Sequence, residues 1–122
     1  MTSLAAEVTD LLSRLIQVDT TNPPGNETAA AELLREYLQA NGLQCELYAR
    51  VPERANLVAR IAGRGDGPTL VFLGHTDVVL ADPAEWSVPP FSGEVRQGEV
   101  WGRGALDMKG HVAANALSLI HI

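Results

Sequence analysis

A chain of 122 residues, 46% apolar and 20% charged, is long enough for one globular domain or part of one and too short for two. No run approaches the roughly 20 apolar residues of a membrane span, the start Met1-Thr2-Ser3-Leu4-Ala5 lacks the pattern of a signal peptide, and a single cysteine excludes an internal disulfide framework. The net charge of −6 argues against nucleic acid as a partner, because phosphate binding needs clustered Lys and Arg, so a soluble cytoplasmic protein is expected.

In chain order, Leu4, Val8, Leu11, Leu12 and Leu15 stand at helical spacing, with Thr2 or Ser3 as the cap. Asp19-Thr20-Thr21-Asn22-Pro23-Pro24-Gly25 must be a loop. Asn26 is placed to cap a second helix burying Ala30, Leu33, Leu34, Tyr37 and Leu38, closed by Asn41-Gly42 with Gly42 left-handed. Leu43, Cys45 and Leu47 alternate with Gln44, Glu46 and Tyr48, the pattern of a half-buried strand, and 56–61 is a second strand candidate. After the turn Gly63-Arg64-Gly65-Asp66-Gly67-Pro68, the unbroken run Leu70-Val71-Phe72-Leu73 predicts a central strand covered on both faces. The segment 81–90 is loop, and Val95-Arg96 and Val100-Trp101 flank a hairpin turn at Gln97-Gly98. An Ala-rich helix runs from Gly110 or His111 to Leu119. It stops at Ile120-His121-Ile122 with no cap, so the natural chain is expected to continue. Together these elements predict an α/β fold with a helix-flanked mixed sheet.

Two segments could carry chemistry. Gly74-His75-Thr76-Asp77 follows the apolar run, where ligands gather in open α/β sheets. In an extended segment His75 and Asp77 project to one side, and a carboxylate beside an imidazole fixes its tautomer and frees the other nitrogen for a metal. The competing reading is a chance pairing in a chain with six aspartates. In Gly102-Arg103-Gly104-Ala105-Leu106-Asp107-Met108-Lys109-Gly110, Asp107 could ligate a cation or bridge two. Spacing alone favours a helix-capping Asp107 and a solvated Lys109.

Other motifs carry less. Gly63-Arg64-Gly65-Asp66-Gly67 precedes a strand rather than a helix, which excludes a dinucleotide fingerprint, and no Gly-Lys-Ser/Thr phosphate loop occurs. Cys45 lies on the apolar side of its strand, as a core residue does. Ser13 and Ser92 have no motif around them. Trp86 and Trp101 read as packing residues, and His111 and His121 as surface residues.

At these motifs the sequence resembles the co-catalytic zinc aminoacylase and carboxypeptidase family. That family groups aminoacylases, acetylornithine deacetylases, succinyl-diaminopimelate desuccinylases, and glutamate and dipeptide carboxypeptidases. The resemblance rests on Leu73-Gly74-His75-Thr76-Asp77-Val78-Val79 and, about 30 residues on, Gly102 to Gly110. It is supported by Asp19-Thr20-Thr21-Asn22-Pro23-Pro24-Gly25-Asn26-Glu27 and Trp86-Ser87-Val88-Pro89-Pro90-Phe91.

The resemblance implies that residues 1–122 are the N-terminal part of a zinc-peptidase-like catalytic domain, with a lid and dimerisation domain outside the chain. It implies that His75 is a ligand of one zinc, that Asp77 is the catalytic carboxylate orienting its ring, and that Asp107 bridges two Zn²⁺, with Co²⁺ as a substitute. It also implies a cis peptide bond after Asp107. The implied activity is hydrolysis of an amide bond in an N-acyl amino acid, with carboxypeptidase or dipeptidase action as the alternative. A small N-acyl amino acid or short peptide would be the substrate, and nucleic acid and membrane would not be partners. A homodimer would form through the missing domain. The family's Glu-Glu pair, supplying the general base and a further ligand, has no counterpart here: no acidic residue follows Asp107. A non-catalytic truncated product is therefore a second expectation for the chain by itself.

Overall fold

The computed structural model describes residues 3–122. Three helices and two short antiparallel ladders give the expected α/β class. Helix α1 is Leu4–Gln17, begun by the Ser3 hydroxyl, which accepts from the Ala6 amide at 3.2 Å; Thr2, the other cap candidate, lies outside the described residues. Leu11, Leu15 and Ile16 are its buried side, whereas Leu4 is exposed. Helix α2 is Glu27–Ala40. Asn26 stands at its N-cap without a side-chain cap bond and donates instead to the Asp19 carbonyl at 3.2 Å. Gly42 ends the turn after α2 at φ 85°, where a side chain would be strained.

Strands β1 (Gln44–Tyr48) and β2 (Asn56–Arg60) pair antiparallel with Cys45 opposite Ala59. The inward side of β1 carries Cys45 and Leu47, as their alternation predicts, and α2 packs across this ladder. Burial pushes the Cys45 thiol up, as for a packed rather than reactive cysteine. Strands β3 (Glu94–Arg96) and β4 (Glu99–Trp101) form the predicted hairpin. Gln97 at φ 55° and Gly98 at φ 82° supply the two left-handed turn residues it needs.

Helix α3, Gly110–His121, packs against α1 and α2. Leu11 and Leu15 of α1, Leu34 and Leu38 of α2, and Ala113 and Leu117 of α3 share one buried cluster. Among the described residues no helix is long and apolar enough to cross a membrane.

The expected central strand is the main departure. Residues 70–73 join neither ladder, and Leu70, Val71 and Leu73 are 72%, 71% and 86% exposed. Among the described residues there are therefore two separate two-stranded ladders, with parallel pairing limited to the single bridge Thr21–Val78. An unbroken apolar run signals cover on both faces, and no other strand among the described residues supplies it.

Candidate metal centre

Three segments meet at a cleft of about 810 Å³ lined in part by Asn22, His75, Asp77, Arg103 and Asp107. The first segment is the 20–22 loop, zipped to 76–78. The Val78 amide donates to the Thr20 carbonyl at 3.1 Å, the Asn22 amide donates to the Val78 carbonyl at 2.9 Å, and the Thr20 hydroxyl donates to the Thr76 carbonyl. Thr20 and Val78 are buried, so this seam is rigidly placed.

The third segment is the kinked turn Ala105–Lys109, entered through Gly104 at φ 85°. A Cβ on Gly104 would stand 2.7 Å from Val78 Cγ1, so only glycine lets the turn lie against the 76–78 segment. The bond between Asp107 and Met108 is cis, as the resemblance implies; Asn22-Pro23 and Pro23-Pro24 are cis as well.

These placements bring His75 and Asp77 together, and His75 and Asp107. His75 Nδ1 is 3.1 Å from Asp77 Oδ1 and 3.2 Å from the Asp77 carbonyl oxygen. Nδ1 faces two acceptors and Nε2 faces one, the far more exposed Asp107, so the single proton of a neutral ring is assigned to Nδ1 and Nε2 presents its lone pair. Nε2 lies 3.1 Å from Asp107 Oδ1. A lone pair facing a carboxylate oxygen at that distance calls for a positive species between them, a proton or a metal ion. Two ligands of one tetrahedral zinc, each about 2.0–2.2 Å from the ion, stand roughly 3.4 Å apart. The pair therefore fits one ion with little movement, and imidazole with carboxylate is a donor set that suits zinc.

The Asp107 side chain is 86% exposed, which leaves its other oxygen open to further groups, and it caps no helix. Among the described residues no three His, Cys, Asp or Glu side chains are grouped to hold an ion by themselves. The Asp77 carboxyl is held below its ordinary range by the Asn22 amide, which donates to Oδ2 at 3.1 Å; partial burial opposes this, and His75 adds to it.

Lys109 corrects the expectation of a solvated charge. It is fully buried, and its ammonium donates to the Leu15 and Val18 carbonyls, each at 2.8 Å. These carbonyls lie at the C-terminus of α1, where partners within the helix run out and the dipole is negative. Burial pushes the Lys109 ammonium down to about 8, against the pull of Asp19.

Trp86 and Trp101, read from sequence as packing residues, line the cleft, and Arg103 and Arg96 lie over their rings at 5.2 and 4.7 Å. Arg103 also donates to the Leu80 carbonyl at 3.2 Å. His111 and His121 are exposed, as expected. Sequence reasoning did not single out Asn22 at this site. The Asp19–Glu27 stretch marked it as part of a motif, but nothing in its spacing points to Asp77.

The family model described as peptidase family M20/M25/M40 matches residues 71–122, the stretch that carries His75, Asp77 and Asp107. The chain is 46% identical over 113 residues to a succinyl-diaminopimelate desuccinylase of Paracoccus denitrificans, covering 90% of this chain and 28% of that protein. It is 43% identical to the enzyme of that name from Delftia acidovorans, covering 89% of this chain and 29% of that one. For the one from Methylococcus capsulatus the identity is 40%, covering 93% and 29%. Residues 71–122 thus carry the pattern of the M20/M25/M40 peptidase family, and the chain spans under a third of the length of these curated relatives.

Proposed function

We propose that this chain contributes His75, Asp77 and Asp107 to the metal centre of a zinc-dependent amidohydrolase that removes the acyl group from an N-acyl amino acid. The observation that carries the reading is the His75 Nε2–Asp107 Oδ1 approach of 3.1 Å, with Nδ1 of the same ring held by Asp77. His75 offers one lone pair to a metal, and Asp77 keeps the ring in the tautomer that exposes it. Asp107 projects an exposed carboxylate whose two oxygens can serve two ions. Paired zinc ions, when bound, polarise an amide carbonyl and activate water near neutral pH. The remaining ligands and the general base come from outside these residues, as does the homodimer contact.

The desuccinylase names of the relatives support an N-succinyl amino acid as the substrate, with other N-acyl groups in the same class. The peptidase description of the family supports carboxypeptidase or dipeptidase action as the second reading. A hydrolysis screen of the full-length protein with zinc or cobalt decides between them. N-succinyl and N-acetyl amino acids are expected to be cleaved faster than dipeptides. The reverse order selects the second reading, and no amide cleavage with either metal overturns both.

A further inference from the structure

Each oxygen of the Asp77 carboxylate has its own partner. Oδ1 faces His75 Nδ1 at 3.1 Å, and Oδ2 accepts from Asn22 Nδ2 at 3.1 Å. The last torsion of an aspartate is broad, so a carboxylate held at one oxygen can swing. A second bond at the other oxygen fixes its plane. Only the NH₂ side of the Asn22 amide can face a carboxylate, so the direction of this bond is settled by chemistry.

Asn22 is itself well placed for the task. Its backbone amide is tied to the Val78 carbonyl at 2.9 Å, and Thr20 is tied to both Thr76 and Val78. These three bonds already hold the 20–22 loop against 76–78, so the Asn22 side chain is not needed to keep the two segments together. It has one other-segment partner, and that partner is Asp77.

We propose that Asn22 is a positioning residue of this site: its amide locks the Asp77 carboxylate so that His75 stays in the Nδ1–H tautomer, and it thereby sets the affinity of the His75–Asp107 pair for a divalent metal. The second half of this statement rests on the metal reading given above; the tautomer half does not. Partners behind a ligating histidine tune metal affinity by about 10–100-fold when removed, and Asn22 acts one bond further out, so about tenfold is expected.

The test uses the 122-residue chain with ¹⁵N-labelled histidine at about pH 8, where an ordinary imidazole is neutral. Ring nitrogen shifts report the His75 tautomer, and titration with Zn²⁺ alone reports affinity. In the unaltered chain His75 is expected as Nδ1–H. Asn22→Ala is expected to admit the Nε2–H form and to weaken zinc binding about tenfold, while Asn22→Gln, which keeps the amide donor, restores much of both. Thr20→Val removes a bond from the same seam without touching Asp77 and is expected to leave the tautomer unchanged. Circular dichroism and urea midpoints verify that each variant is folded.

An Asn22→Ala chain with an unchanged tautomer overturns the inference, as does a Thr20→Val chain that shifts it equally. Zinc binding indifferent to His75→Ala overturns the metal reading, and with it the affinity half of the inference. The tautomer comparison still decides the positioning role in that case.

Discussion

Lys109 and Tyr37 are polar groups whose worth follows from what they touch. Replacing Lys109 with methionine keeps its length and removes the ammonium that donates to the Leu15 and Val18 carbonyls. Each carbonyl then loses a charge-assisted bond in a buried position, and the desolvation cost of the ammonium is relieved at the same time. Lys109→Met is expected to lower stability by about 1–3 kcal/mol, read from urea denaturation. Tyr37 of α2 donates to Glu7 Oε1 of α1 at 2.6 Å. Burial first, then the Glu7 hydrogen bond and charge, raise the phenol well above its ordinary value. The unfolded chain loses that proton first, so the stabilisation is full below about pH 10 and is lost as pH rises past it. Tyr37→Phe is expected to cost about 1–2 kcal/mol at neutral pH. The stability difference from the unaltered chain should shrink between about pH 9 and pH 11; a constant difference would contradict the assignment.

The helices and the β3–β4 hairpin were legible because each carries its own period or turn chemistry. Leu11 and Leu15 lie on one helical face, and Gln97-Gly98 meets a two-residue turn's demand for positive φ. The 70–73 run is apolar yet uncovered, because hydrophobicity states what a segment needs and not which partner provides it. Its exposure has a consequence at this scale. Leu70, Val71 and Leu73 form a contiguous apolar stretch with unpaired backbone, the combination that drives edge-to-edge association. Sedimentation velocity of the 122-residue chain is expected to show concentration-dependent association that the double substitution Val71→Lys and Leu73→Lys reduces. Equal association of both chains would place the contact elsewhere.

At the scale of the whole molecule, the candidate site is an assembly of segments that spacing alone could not join. His75 and Asp77 were legible because they are two residues apart and share a side of extended backbone. Asp107 entered through the resemblance, since spacing alone favoured a capping role. Asn22 meets Asp77 across 55 residues, and Lys109 reaches α1 across 91 and 94, separations that leave no trace in any local pattern. The same assembly limits what the chain can do by itself. No Asp or Glu follows Asp107, and the carboxylates nearest His75 are both engaged with its ring, Asp77 at Nδ1 and Asp107 at Nε2. Asp77 has both oxygens engaged, by His75 and Asn22, and Asp107 has one on His75 and the other turned outward for a metal ion in the reading above; a general base contributes about 10²–10⁴-fold to such a reaction. The purified 122-residue chain with saturating Zn²⁺ is therefore expected to hydrolyse N-succinyl and N-acetyl amino acids no faster than the metal ion in buffer. Turnover that exceeds that background and disappears in His75→Ala would show that one of these carboxylates, or Glu99 on the wall of the same cleft, serves as the base.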